Sequence, residues 1–177
     1  MVQSLMARGE RAFVDRFVRP DGLGLFDLVD GHNGDDSNVR PNQLLALSLP
    51  GRVIPHSESV MRCIEGLVTP LGMRSLDPGS PNYRGLHRGS VVERDEAYHE
   101  GTVWPWLIGP YVDALINTGR PAEHTCDALV DHLGDWGIGS VSETLDGNAP
   151  HVATGCPFQA WSVAELFRAR RLGARGA

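Results

Sequence analysis

An all-α fold, the second half of an α/α toroid, is what this 177-residue sequence predicts, and three observations carry the prediction. Six segments have helical periodicity and none has a convincing alternating strand pattern. The helices alternate between amphipathic and apolar nearly all round, which separates surface-covering from buried helices. Long and short connections also alternate, so that short-linked pairs form antiparallel hairpins.

The first helix, near 3–18, sets Leu5, Ala12, Phe13 and Phe17 against Arg8, Glu10, Arg11, Asp15 and Arg16. The second, 40–49, contains LLALSL and is apolar throughout. The third, 56–69, is amphipathic, with Val60, Met61, Ile64, Leu67 and Val68 opposite Ser57, Glu58, Arg62 and Glu65. WLIGPYVDALI makes the fourth, 103–118, a buried type; Gly119 and Pro121 then punctuate a tight turn. Helix five, 121–136, is amphipathic about Cys126, Leu129, Val130 and Leu133, and helix six, 157–171, is apolar through FQAWSVAELF. Three hairpins gather three long loops on one face, where long ordered loops commonly build a site. A closed toroid commonly has six hairpins, so residues 1–177 read as one incomplete C-terminal portion with a flexible tail at 172–177.

Composition narrows the function. Sixteen Lys and Arg against 22 Asp and Glu, with no long basic run, argue against nucleic acid or an anionic membrane as partner. Cys63, Cys126 and Cys156 fit neither a disulfide framework nor a zinc spacing, which favours a reducing compartment. The N-terminus lacks an apolar leader core and no run is long enough to span a bilayer, so the expected location is the cytoplasm. No cofactor or metal is expected. DGHNGDD at 30–36 misses the EF-hand spacing, lacks its closing Glu, and reads instead as a turn rich in Asx residues. Ser140, Asp146 and His151 are close in sequence but lack a nucleophile elbow.

DEAYHEGTVWPWLIGP, 95–110, concentrates Asp95, Tyr98, His99, Glu100, Thr102, Trp104 and Trp106. Indole faces beside donors and acceptors suit a sugar ring, although tryptophans also fill cores. The loop 137–157 contributes Glu143, Asp146 and His151, followed by Gln159 and Trp161, while Arg40, Asn42 and Gln43 open the second helix. Carboxylates among amides, indoles and an Arg fit glycoside hydrolysis. Each also has a plainer reading: Glu143 as a solvated loop carboxylate, His99 and His151 as structural hydrogen-bonders, Arg40 as a surface partner of Asp36.

Four segments in order, RPNQLLALSLP at 40–50, LVTPLGMRSLDPGSPNYRG at 67–85, RDEAYHEGTVWPWLIGPYVDA at 94–114 and GIGSVSETLDGNAPHVATGCPFQAWSVAEL at 137–166, resemble the C-terminal region of bacterial glycogen debranching enzymes. These are amylo-α-1,6-glucosidases with an (α/α)6 toroid. The resemblance spans about Phe17 to Leu172 and implies inverting hydrolysis of α-1,6 branch linkages in glycogen or branched maltodextrin. It implies Glu143 as the base, and a glucose pocket shaped by Arg40, Asn42, Gln43, Tyr98, His99, Thr102, Trp104, Trp106, His151, Gln159 and Trp161. The family's acid, an Asp in a TWMD-like motif upstream of RPNQ, has no counterpart here, so the isolated chain is expected to be inactive without a missing N-terminal half or a second subunit. Glu100 stands where the family usually has Gln; Thr144, Leu145 and Asn148 also depart. Asp95 and Glu100 are expected to modulate the base electrostatically. Two alternatives remain: a non-catalytic glucan-binding or assembly fragment, and another toroid glycosidase such as a trehalase-like enzyme.

Overall fold

The computed structural model describes residues 2–50 and 54–174. It corrects the fold class: the chain is not an all-α toroid but a mixture of helices with a five-stranded antiparallel sheet and a two-stranded hairpin. The segments expected to be long irregular loops supply most of the strands, while β3 and β5 replace the end of the predicted third helix and the start of the fourth. The strands are two to four residues long, too short for alternation to register.

Helix α1, Val2–Phe17, is amphipathic yet contributes no fully buried residue. Phe13 and Phe17 stack at 4.9 Å and lean against the core from outside. Strands β1, Leu28–Gly31, and β2, Gly34–Asp36, form the hairpin that contains the DGHNGDD run. The predicted second helix is a 3₁₀ turn, Pro41–Leu44, followed by the single-turn α2, Leu45–Ser48. Helix α3, Ser57–Ile64, buries Val60, Met61 and Ile64 through its 3.6-residue spacing.

The larger sheet is a meander whose spatial order equals its chain order: β3, Val68–Thr69; β4, Gly72–Arg74; β5, Val103–Trp104; β6, Thr144–Leu145; β7, Ala153–Thr154. Met73 lies opposite Trp104, Val103 opposite Leu145, and Thr144 opposite Thr154. Gly72 makes the first hairpin possible. Its φ is +139°, and a Cβ there would come within 2.6 Å of the Trp104 carbonyl oxygen.

Between β4 and β5 lies α4, Val91–Tyr98, which the periodicity analysis missed. Ser90 and Glu93 close a reciprocal capping box at its start. Helix α5, Ile108–Asn117, is the central helix, burying Ile108, Val112, Ala114 and Leu115 between α2 and α7, Ala160–Gly173. The predicted fifth helix shrinks to α6, Asp127–Asp131, and a 3₁₀ turn, because His124 takes a left-handed φ of 63° just before it. Nor is α7 buried all round: Leu166 and Ala169 face the core while Trp161 and Phe167 are exposed. Of the expected flexible tail, Leu172 and Gly173 belong to α7, and 175–177 fall outside the described residues.

One continuous core joins these elements, centred on Leu44, Leu47, Met61, Ile64, Leu67, Met73, Ile108, Val112 and Leu129. Trp104, at the end of β5, is its boundary with the outside. Among the described residues, no helix is long and apolar enough to cross a membrane.

Candidate functional site

At the ends of β4 and β5 the structure opens a cleft of about 420 Å³. Trp104, Trp106 and Trp161 form its aromatic wall, and Asp27, Arg40, Asn42, Ser75 and His99 supply polar groups. The aromatic wall is a product of local geometry. Pro105 starts the 3₁₀ turn 105–107 at a position where its missing N–H costs nothing, and the turn separates two indoles from one strand end. Trp161, in the first turn of α7, then stacks on Trp106 at 5.4 Å and meets Trp104 edge-on at 6.1 Å. Trp104 is only 7% exposed, whereas Trp161 is 48% exposed, so the wall grades from core to solvent. His99 lies nearly parallel to Trp104, at 6.1 Å and 8°.

The polar wall is organised by Arg40. Its guanidinium meets both carboxylate oxygens of Glu100 at 3.0 Å, donates to the Ser75 carbonyl at 3.3 Å and to the His99 carbonyl, and lies 3.6 Å from Asp27. Asn42 donates to the other Asp27 oxygen at 2.8 Å. Arg40 therefore pairs with Glu100 and Asp27 rather than with Asp36, and it ties together β1, β4 and the end of α4. Its donors are committed to protein.

Glu143, immediately before β6, is not itself a lining residue of this cleft and connects to its aromatic wall through Tyr98. The Tyr98 hydroxyl donates to Oε1 at 2.7 Å and the Cys156 amide donates to Oε2 at 2.9 Å. The Glu143 amide returns a bond to the Cys156 carbonyl at 2.8 Å, so the two segments flanking the β6–β7 turn fix the carboxylate between them. Gly155 makes room for it: its φ is +69°, and a Cβ there would lie 2.7 Å from Oε2. Tyr98 packs edgewise on Trp104 at 4.6 Å and on His99 at 5.0 Å. Burial, then the hydrogen bond and charge of Glu143, push the Tyr98 phenol up to about 12, so it remains a donor.

The expected pocket residues thus divide. Arg40, Asn42, His99, Trp104, Trp106 and Trp161 line the cleft. Three of the others turn to structural bonds. Gln43 is buried and accepts the Leu25 amide at 3.1 Å; Thr102 is fully buried and donates to the Ala97 carbonyl at 2.8 Å; His151, at a φ of 60°, bonds the Asp146 carbonyl at 3.0 Å. The Gln159 backbone N–H donates to the Val141 carbonyl at 3.0 Å, just before α7. Asp95 is exposed on α4.

Five residues outside the expected set line the cleft: the polar Asp27 and Ser75, and the apolar Pro41, Leu45 and Leu107. No local pattern in the sequence marks Asp27, whose partners Arg40 and Asn42 lie 13 and 15 positions away. Behind the site, His87 bonds Thr154 at 2.9 Å through Nδ1 and lies 5.6 Å from the Tyr98 ring, its basicity lowered chiefly by burial and also by Arg94. Asp146, 1% exposed, accepts the His87 amide at 2.8 Å and pairs with Arg88. No group of three or more His, Cys, Asp or Glu side chains is arranged to hold a metal among the described residues.

Comparisons with known proteins agree on one family. The family model for amylo-alpha-1,6-glucosidase matches residues 1–168. A stretch of 90 residues is 33% identical to the glycogen debranching enzyme of Saccharomyces cerevisiae, covering 46% of this chain and 6% of the yeast protein.

Proposed function

This chain belongs to the amylo-alpha-1,6-glucosidase family, and from that premise we propose that its cleft receives the glucosyl end of an α-1,6-branched glucan, with Glu143 as the general base of an inverting hydrolysis. The observation that carries the reading is the placement of Glu143. Its carboxylate is fixed by two donors, one of them Tyr98, whose ring packs on Trp104 of the aromatic wall.

In an inverting mechanism a carboxylate takes a proton from water as that water attacks the anomeric carbon, opposite the departing oxygen. The base must hold one orientation, because the attacking water has to be aligned with the bond that breaks. Tyr98 and Cys156 supply that constraint. Indole faces suit the apolar C–H faces of a pyranose, while Asn42 and Asp27 offer a donor and acceptors for hydroxyl groups. Breaking the bond also needs a second carboxyl group to protonate the leaving oxygen. Asp27 and Glu100 are both tied to Arg40, and we assign the acid to no residue of this chain. The isolated polypeptide therefore binds glucan without cleaving it, and turnover requires an acid from elsewhere in the enzyme.

A second reading, a glucan-binding or assembly module without turnover, draws on the Arg40–Glu100 pair, which closes the guanidinium to sugar hydroxyls. The two share a test. Titration with branched maltodextrin, followed by tryptophan fluorescence, is expected to saturate for the wild type and for Glu143→Gln alike, with no glucose released. In an enzyme that also carries the acid, Glu143→Gln is expected to lower kcat by a factor of ~100 or more. Absence of binding overturns the cleft assignment; unchanged kcat removes Glu143 from the base role.

A further inference from the structure

We infer that Tyr98 is a positioning residue: its hydroxyl orients the Glu143 carboxylate while its ring stands against Trp104, joining the base and the aromatic wall into one rigid unit. The inference rests on the reading of Glu143 as the base. The sequence alone suggested a different role for Tyr98, direct contact with sugar.

The geometry separates these roles. Neither Tyr98 nor Glu143 is among the residues lining the cleft; Trp104 and His99 are, and both lie against the Tyr98 ring. That ring is enclosed on a further side by His87, at 5.6 Å. Its hydroxyl is spent on Glu143 at 2.7 Å, and its carbonyl accepts the Trp104 Nε1–H at 3.1 Å. Tyr98 thus bonds the base through its side chain and the indole through its main chain. The C-terminal end of α4 fixes its backbone, since the next residue, His99, ends the helix and hands its carbonyl to Arg40.

The hydroxyl carries a consequence for the carboxylate. Oε2 is fixed by a main-chain amide, which no side-chain change removes. Oε1 depends on the phenol. Removing the phenolic oxygen leaves the carboxylate pivoting on one bond, with the cleft wall unaltered. A residue acting this way affects turnover through Glu143 and leaves sugar affinity nearly unchanged.

The test uses the whole chain. In a Tyr83→Phe/Tyr111→Phe background, Tyr98 is the single ionising tyrosine, and its absorbance change is expected near pH 12. Adding Glu143→Gln is expected to move that transition down, short of the ordinary value near 10 because burial persists. A second arm follows the side-chain carboxyl ¹³C resonance of Glu143, assigned by its loss in Glu143→Gln. Tyr98→Phe is expected to shift and broaden it while branched-maltodextrin affinity stays within about twofold of wild type. An unmoved tyrosine transition, an unmoved carboxyl resonance, or a tenfold loss of affinity in Tyr98→Phe each overturns the positioning role. If wild type fails to bind glucan, the proposed function fails, and the tyrosine and carboxyl measurements still decide whether Tyr98 orients Glu143.

Discussion

Arg40 and Glu100, 60 positions apart, meet in a two-pronged ion pair with both oxygens at 3.0 Å. The arginine side chain is 17% exposed and the glutamate 31%, so the pair sits at the edge of solvent. Arg40 also serves Asp27, His99 and Ser75, whereas Glu100 gives its carboxylate to Arg40. The two ends are therefore not equivalent.

Glu100→Gln is expected to cost about 1 kcal/mol, since a neutral acceptor remains and partly exposed pairs contribute little. Arg40→Met is expected to cost about 3 kcal/mol, because it leaves two carboxylates and two carbonyls without their cation. Urea midpoints at constant m-value measure both. Equal costs would mean that Arg40 is no more than the partner of Glu100.

Trp161 and Trp104 are expected to fail differently when truncated. Trp161→Ala removes a half-exposed ring stacked on Trp106, costing under about 1 kcal/mol of stability. It is expected to weaken branched-maltodextrin binding roughly tenfold, equivalent to about 1.4 kcal/mol. Trp104→Ala empties a buried site and is expected to cost about 3–5 kcal/mol of folding stability. Thermal unfolding and fluorescence titration separate the two effects.

Gly155→Ala tests the space reserved for the carboxylate. The residue would need a left-handed backbone and would press its methyl group to 2.7 Å from Glu143 Oε2 and Thr144 Oγ1. The expected loss is about 1–3 kcal/mol, read from the same denaturation curves. A neutral substitution would show that the carboxylate has room to retreat.

Acid stability follows from two histidines. Burial lowers the basicity of both His87 and His132 below the ordinary value near 6.5. Above that pH both are neutral, folded or unfolded, and their contribution is complete. Below it the unfolded chain takes up protons first, so stability falls as pH drops through the interval down to the folded values. Urea unfolding is expected to show a decline starting below pH 6.5, with a shallower slope in His132→Gln. That histidine bonds Ser142 at 3.1 Å and is 2% exposed. An unchanged slope would remove it from the effect.

How much of this was legible in the sequence depends on the range of the interactions. Val60, Met61 and Ile64, or Ile108, Val112 and Leu115, announce helices because a 3.6-residue period repeats within one segment. Helix α4 was missed because apolar periodicity is weak there; the one local signal for it is the Ser-x-x-Glu capping pattern of Ser90 and Glu93. The strands had no such local signature. Thr69, Met73 and Leu145 become strand residues only when distant partners arrive, so the toroid inferred from helices alone was the wrong architecture. The same limit applied to the site. The aromatic wall was visible as a tryptophan cluster, whereas Asp27 beside Arg40, and Tyr98 turned toward Glu143, exist only after long-range closure.

The meander's order has a consequence for change over time. Because its five strands succeed one another in space as they do along the chain, the excursions between them are appendages hung on a fixed ladder. The segments carrying Glu143 and Cys156 at the open end of the β6–β7 hairpin, the helix ending at Tyr98 and the helix presenting Trp161 occupy separate excursions or flanks. Each can lengthen, shorten or be exchanged without re-threading the others, which lets the cleft be remodelled piecemeal for a new saccharide while the ladder stays put.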